Sequence, residues 1–484
     1  MFFRARFAAL SGLSERCRLD LRGAACRFLG GRAYPAVIAV LVVIGHIFAV
    51  ELYTNILICI SSALGFLLLD SARHFILPLC AYIYQISVKY APGMPSYSDH
   101  NFSGVRGLTV VLLLFLLFSS VIAFSVRCRL FSMKKLLDAP LFIPSAALAV
   151  ALALNGVLGG EWRAASLGYG VAVALSWFLV FYFFLFAFER EDADELLSYF
   201  LYVTALITAI LVVETADLYL FRGVVGPDGV ANKEAVLYGW GIWATAGVGL
   251  AVLIPTLLLG AMHRRHPLPY MALAITSLVA IALNLSRGAL LVGALVFAVG
   301  MVTGCFCGRR RRLFRAAALV GGSATALGVA LFFDRLRELL RDYFDRGFSD
   351  NGRLALWKYG AESFFDAPLF GKGFFGLQTD TFQAIELIPQ MLHNTPVQIA
   401  ASMGVFGLLA YGAYRVKSLR HILRRPTVEK CMVGLSMLAL LLSSLFDNFI
   451  FYIQPMFYYS VEFALVCRLN DVQMGADSTP RKNL

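Results

Sequence analysis

Apolar runs about 20 residues long, the length an α-helix needs to cross a bilayer, recur along almost the whole chain. We read such runs at 35–51, 53–69, 74–90, 107–126, 140–159, 168–188, 196–215, 238–261, 268–285, 288–307, 314–333, 396–414, 430–449 and 452–468. Short hairpins at either end are easily counted twice, so the expected fold is an all-α integral membrane protein with about 12–14 transmembrane helices. Composition agrees. Of 484 residues, 59% are hydrophobic and only 15% charged, which excludes a soluble protein of this length.

A net charge of +12 invites a nucleic-acid reading, but the positions of the charges oppose it. Arg127, Arg129, Lys134 and Lys135 follow one run, and His263, Arg264, Arg265 and His266 follow another. Arg309 to Arg312 with Arg315, and the basic stretch from Arg415 to Arg425, follow two more. If the runs alternate across the membrane, all of these share one side with the arginines of residues 1–33. That is the positive-inside pattern, and it puts both termini in the cytoplasm.

The expected organisation is a basic cytoplasmic arm at 1–33, transmembrane helices at 34–333, and one large helical external loop at 334–395. C-terminal transmembrane helices at 396–468 and a disordered cytoplasmic tail at 469–484 complete it. Residues 1–33 show no small-residue cleavage site after an apolar core, so they read as an arm and not a cleaved signal. The external side also receives 91–106, 216–237, the turn at Ser286–Gly288 and 448–452. None of these segments holds a cysteine, so neither a disulfide framework nor a zinc site is expected. Glu214, Asp217, Glu362, Asp366, Asp380 and Glu386 are scattered, which disfavours a divalent-cation site. No cofactor is expected. Ionisable groups are nearly absent from the run centres, and no broken spans recur in matching halves, which argues against a pump or coupled transporter.

The polar insert at 334–395 is where chemistry is expected. Leu336, Leu339, Leu340, Tyr343 and Phe344 recur at helical spacing, predicting an interfacial helix over Asp334–Arg346. A second helix is expected over Arg353–Phe365, with Leu354, Trp357, Ala361 and Phe364 on one face, stopped by Asp366-Ala367-Pro368. Gly371-Lys372-Gly373-Phe374-Phe375-Gly376 then reads as a tight loop that permits close backbone approach to a ligand.

Four residues are candidates for the site, with Lys372 a weaker fifth. Arg287 sits in a turn with almost no loop. It is either an interface arginine reaching for water or a phosphate ligand, and its planar fork favours the second reading. Arg222 and Arg353 are either surface charges or further anion ligands, and Arg353 could simply pair with Asp350 or Glu362. Lys372 is a weaker candidate for the same role. His393 precedes Asn394-Thr395-Pro396, a helix start in which Asn394 or Thr395 would cap. It is either a neighbour of that cap or a general base for a hydroxyl nucleophile.

Asn284-Leu-Ser-Arg-Gly-Ala, Gly352-Arg-Leu-Ala-Leu-Trp-Lys, Ala367-Pro-Leu-Phe-Gly-Lys-Gly-Phe, His393-Asn394 and Ser402-Met-Gly-Val-Phe-Gly407 together resemble the O-antigen ligase and polymerase superfamily, over about 215–415. The loop at Gly226–Asn232 departs from the family's Asn-rich pattern. The resemblance implies a GT-C-like membrane glycosyltransferase, inverting and metal-independent, acting at the periplasmic face of the bacterial inner membrane. Its donor would be a glycan on undecaprenyl diphosphate, and its acceptor lipid A-core or another glycan. By position, Arg222 and Arg287 resemble the diphosphate-binding arginines and His393 the loop histidine, with Arg353 a further contact. An O-antigen ligase is the leading expectation, a polymerase the alternative, and a lipid-linked glycan flippase a more distant one.

Overall fold

The structure is a computed structural model that describes residues 22–48, 50–86, 104–159, 162–222, 224–225, 237–238, 241–331, 337, 352–377, 389 and 391–478. The helices, in chain order, are α1 Arg22–Leu29, α2 Ala33–Ile47, α3 Glu51–Leu68, α4 Ile76–Ile86, α5 Gly104–Arg127, α6 Met133–Asp138, α7 Phe142–Ala153, α8 Ala164–Phe188 and α9 Ala193–Phe221. A two-residue hairpin follows, β1 Leu237–Tyr238 against β2 Gly241–Ile242. Then come α10 Trp243–His263, α11 Pro267–Leu283, α12 Arg287–Phe306, α13 Arg311–Leu331, α14 Arg353–Asp366, α15 Thr395–Leu423, α16 Val428–Ser443 and α17 Ile453–Ser478. The protein is thus an all-α polytopic membrane protein, the hairpin being its one described sheet.

Among the described residues seven helices are long and apolar enough to cross a membrane, or eight if α1 and α2, bent by 70°, act together. Several expected spans fold as shorter helices, among them α7 with 12 residues, α11 with 17 and α16 with 16. Polar turn residues end them early: Asn155 and Gly156 follow α7, Asn284 caps α11, and Ser444 caps α16. An apolar window does not register such breaks. The interfacial helix expected over Asp334–Arg346 lies, Arg337 apart, outside the described residues, as do Asp350, Asp380, Glu386 and the Gly226–Asn232 loop.

The chain divides into two compact units, Met1–Phe131 with Phe186–Ile242, and Ser132–Leu185 with Trp243–Leu484. In the first, Phe66 stacks on Phe75 with ring centroids 3.7 Å apart, and Phe124 meets both edge-on. In the second, α10 is the buried centre, packed by α11, α12 and α16. Pro255 interrupts its hydrogen-bond ladder, and the Ser436 hydroxyl of α16 bonds the carbonyl of Val252 three residues earlier. Large apolar side chains such as Leu291 and Leu409 remain exposed, as a lipid-facing surface requires.

α15 is broken at Gly404, where φ is 64° and ψ −159°. The break frees backbone groups that the loop after α14 satisfies: the amides of Val405 and Phe406 donate to Pro368 and Leu369, and those of Lys372 and Gly373 donate to Ala401 and Ser402. A Cβ on Gly404 would stand 2.5 Å from the Leu369 carbonyl, so no other residue fits. The glycine loop therefore serves a structural purpose. Its close backbone approach is to α15, and to α7 and α8 through Phe374 N–H to Asn155 Oδ1 and Phe375 N–H to Ser166 Oγ, each 3.0 Å.

Candidate active site

Three helix starts in the second unit carry Arg287, Arg353 and His393, three of the basic residues singled out in the sequence. α15 begins where Asn394 supplies a cap, its side chain accepting from Val397 N–H at 3.1 Å, with Pro396 in the first turn. The same carboxamide donates to the Leu445 carbonyl at 3.0 Å, and Thr395 N–H donates to the Ser444 carbonyl at 2.9 Å. The start of α15 is thereby stapled to the turn that follows α16. His393 lies just before the cap with φ at +51°. A left-handed backbone at a non-glycine residue costs on the order of 1–3 kcal/mol and persists where the surroundings hold it, which is common at functional sites.

The staple gives His393 a partner that sequence reasoning missed. Its Nδ1 lies 3.0 Å from Asp447 Oδ1, with Asp447 largely buried and His393 part-exposed. A carboxylate can only accept, so Nδ1 carries the proton, and Nε2 is the lone-pair nitrogen of the neutral ring. Asp447 also accepts from Asn448 N–H at 2.7 Å, which fixes the carboxylate in turn. A signal for it existed: Asp447 is an ionisable residue near the end of the apolar run 430–449, and such residues are seldom idle.

Arg287 is exposed at the first position of α12, two residues after Leu285, whose φ is +55°. Its neighbour Gly288 packs on Phe446, where an added Cβ would lie 3.3 Å from the phenylalanine Cβ. Phe446 adjoins Asp447, so the start of α12 and the His393–Asp447 pair are held against one short turn.

Arg353 opens α14 behind Gly352, whose φ of 77° suits glycine. One helical turn on, on the same face, Trp357 Nε1 donates to the Leu392 carbonyl at 3.1 Å, next to His393. The helix runs one residue beyond the expected Arg353–Phe365. Gly360 and Ser363 form its buried face, whereas Leu354 and Ala361 are exposed. The reason is close approach, since a Cβ on Gly360 would lie 2.5 Å from Val397. Below, Leu377, Leu392 and Ala401 form a small core with Leu356, Tyr359 and Val397.

The remaining candidates are engaged elsewhere. Lys372 pairs with Asp366 at 2.8 Å, and Glu362 pairs with Lys358 at 3.9 Å. Arg222 belongs to the first unit, where its Nε bonds Asp217 at 3.0 Å and its Nη2 bonds the Ile47 carbonyl at 2.5 Å. There it caps the C-terminal end of α2, a favourable position for a cation.

A basic residue at a helix N-terminus opposes the macrodipole, so Arg287 and Arg353 are placed against local preference. Free backbone amides at helix starts stabilise anionic oxygens, and Arg287 and Arg353 add positive charge at two such starts. Fold and site define a class: a multi-pass membrane protein with a histidine–carboxylate pair beside cationic helix starts. Residues 272–412 match the family model described as O-Antigen ligase, which supports membership of the O-antigen ligase and polymerase superfamily. The matched segment includes Arg287, Arg353 and His393, and it ends before Asp447. It supports an O-antigen ligase-type function, a glycosyltransferase-type enzyme handling glycan and lipid-linked substrate in a bacterial membrane. A search of curated proteins returned no match.

Proposed function

We propose that the protein is an inverting, metal-independent glycosyltransferase that moves a glycan from undecaprenyl diphosphate to an acceptor hydroxyl at the periplasmic face of the inner membrane. The observation that carries this reading is the His393–Asp447 pair, held at 3.0 Å on the turn that also packs the start of α12 and Arg287. In the proposed step, His393 Nε2 takes the acceptor O–H proton while that oxygen attacks the anomeric carbon. The anomeric C–O bond to the diphosphate breaks, and the electron pair leaves with the phosphate. Asp447 holds the ring and stabilises the imidazolium that forms. Arg287 and Arg353 stabilise the charge on the leaving diphosphate at a low-dielectric boundary, where fixed donors act strongly. Arg222 stays proposed as a diphosphate ligand on its charge and the resemblance. Binding there would exchange contacts that now cap α2.

Lipid A-core is the acceptor we favour, which makes the protein an O-antigen ligase; a polymerase would use the same chemistry on a growing glycan. Purified protein incubated with a lipid-diphosphate glycan and each acceptor tests this. Transfer that persists with a chelator is expected, and no transfer to either acceptor overturns the proposal. In a deletion strain, ligase loss strands polymer on the lipid carrier, and polymerase loss leaves single repeat units on core.

A further inference from the structure

Gln398 lies in the first turn of α15, fully buried, and its carboxamide oxygen accepts two hydrogen bonds. One comes from the backbone N–H of Leu392 at 2.8 Å, and the other from Asn448 Nδ2 at 3.0 Å. Leu392 is the residue before His393, and Asn448 is the residue after Asp447. A single oxygen therefore ties together the two chain segments that carry the histidine and its carboxylate, which are 54 positions apart in sequence. Leu392 and Asn448 are themselves fully buried, so neither donor can turn to water if the oxygen is removed.

The geometry asks for such a tie. His393 sits at positive φ, a conformation that needs its flanking backbone to be held. On one side the Asn394 cap and the Thr395 amide fix it to Ser444 and Leu445. On the other side the Leu392 carbonyl accepts from Trp357, and the Leu392 amide depends on Gln398. Without Gln398, the Leu392 amide and the Asn448 carboxamide lose this shared acceptor.

We propose that Gln398 is a positioning residue for the transfer reaction: its oxygen sets the register of His393 against Asp447 without touching substrate. This rests on the function proposed above. A misplacement of about 1 Å at a reacting group can cost about 10²-fold in rate.

The test compares Q398L, which keeps approximate volume and removes the acceptor, with Q398E, which keeps an acceptor oxygen. Two readouts are taken on full-length purified protein. Hydrogen exchange at the Leu392 amide is independent of substrate: it is expected to be protected in wild type and Q398E and to speed up in Q398L. Steady-state transfer is expected to show kcat lowered about 10²-fold in Q398L with donor KM unchanged, and largely restored in Q398E. Unchanged Leu392 exchange in folded Q398L overturns the clamp. Faster exchange with wild-type kcat overturns the positioning role. If wild type transfers no glycan to any acceptor, the functional reading fails while the exchange data still decide the clamp.

Discussion

Asp447 holds Nδ1 of His393 at 3.0 Å, directing the opposite ring nitrogen away from the carboxylate. Replacing Asp447 with Asn leaves the shape and removes the charge that fixes the tautomer. Transfer by D447N is expected to fall at least about 10²-fold, and by H393A about 10²–10⁴-fold, with both proteins still inserting. Because the two residues act as a unit, D447N placed on H393A is expected to cost little more. A fully multiplicative loss in the double variant, measured by turnover, would mean that the pair does not work together.

Arg287 is expected to contribute through charge and fork geometry. R287A should lose about 10²–10³-fold in transfer, and R287K should recover only part of it because an ammonium cannot make the paired contact. The measurement is transfer rate at equal membrane abundance. Full activity in R287A would remove Arg287 from the site.

Arg222 gives the opposite expectation for stability. It bonds Asp217 and the Ile47 carbonyl, so R222A leaves a carboxylate and a helix end without that partner. R222A is expected to lower the thermal midpoint of the purified protein, whereas R287A, exposed at the first position of α12, changes it little. Equal midpoints for R222A and wild type would argue that the capping contacts contribute nothing measurable.

The His263–Glu429 pair gives a pH expectation away from the site. Its oxygen and nitrogen are 2.8 Å apart, and the bond from His263 is the main cause that holds the Glu429 carboxyl down at about 2, burial opposing it. A carboxyl depressed in the folded state stabilises fully above its ordinary range, near 4.5, and the contribution is lost as pH falls toward about 2. E429Q is therefore expected to be less stable than wild type at neutral pH, with the difference shrinking below about pH 4. Thermal midpoints across pH check it; a constant difference would rule out this linkage.

The helical class was legible because hydrophobic run length is local information, and so were the starts of α14 and α15. Arg353 follows a glycine, and Asn394 and Pro396 form a cap and first turn that depend only on near neighbours. His393 and Arg287 stood out for the same reason: each is polar where the chain turns between apolar segments. Which face of α14 is buried was not legible, because Leu354 is apolar yet exposed whereas Gly360 is buried by its close approach to Val397. In a membrane protein an apolar side chain can face outward as readily as inward, so periodicity loses its sign.

By itself, then, the sequence determined a polytopic helical membrane protein, the places where its helices begin, and a short set of arginines with one histidine. Tertiary structure alone decided what those residues touch. It put Asp447 on His393 from across 54 positions, turned the glycine loop onto the break at Gly404, and committed Lys372 to Asp366 and Arg222 to the end of α2. The physical reason is range. Capping, turns and hydrophobic run length are set by residues within a few positions, whereas a partner for a charge is chosen by which helix ends the packing brings together.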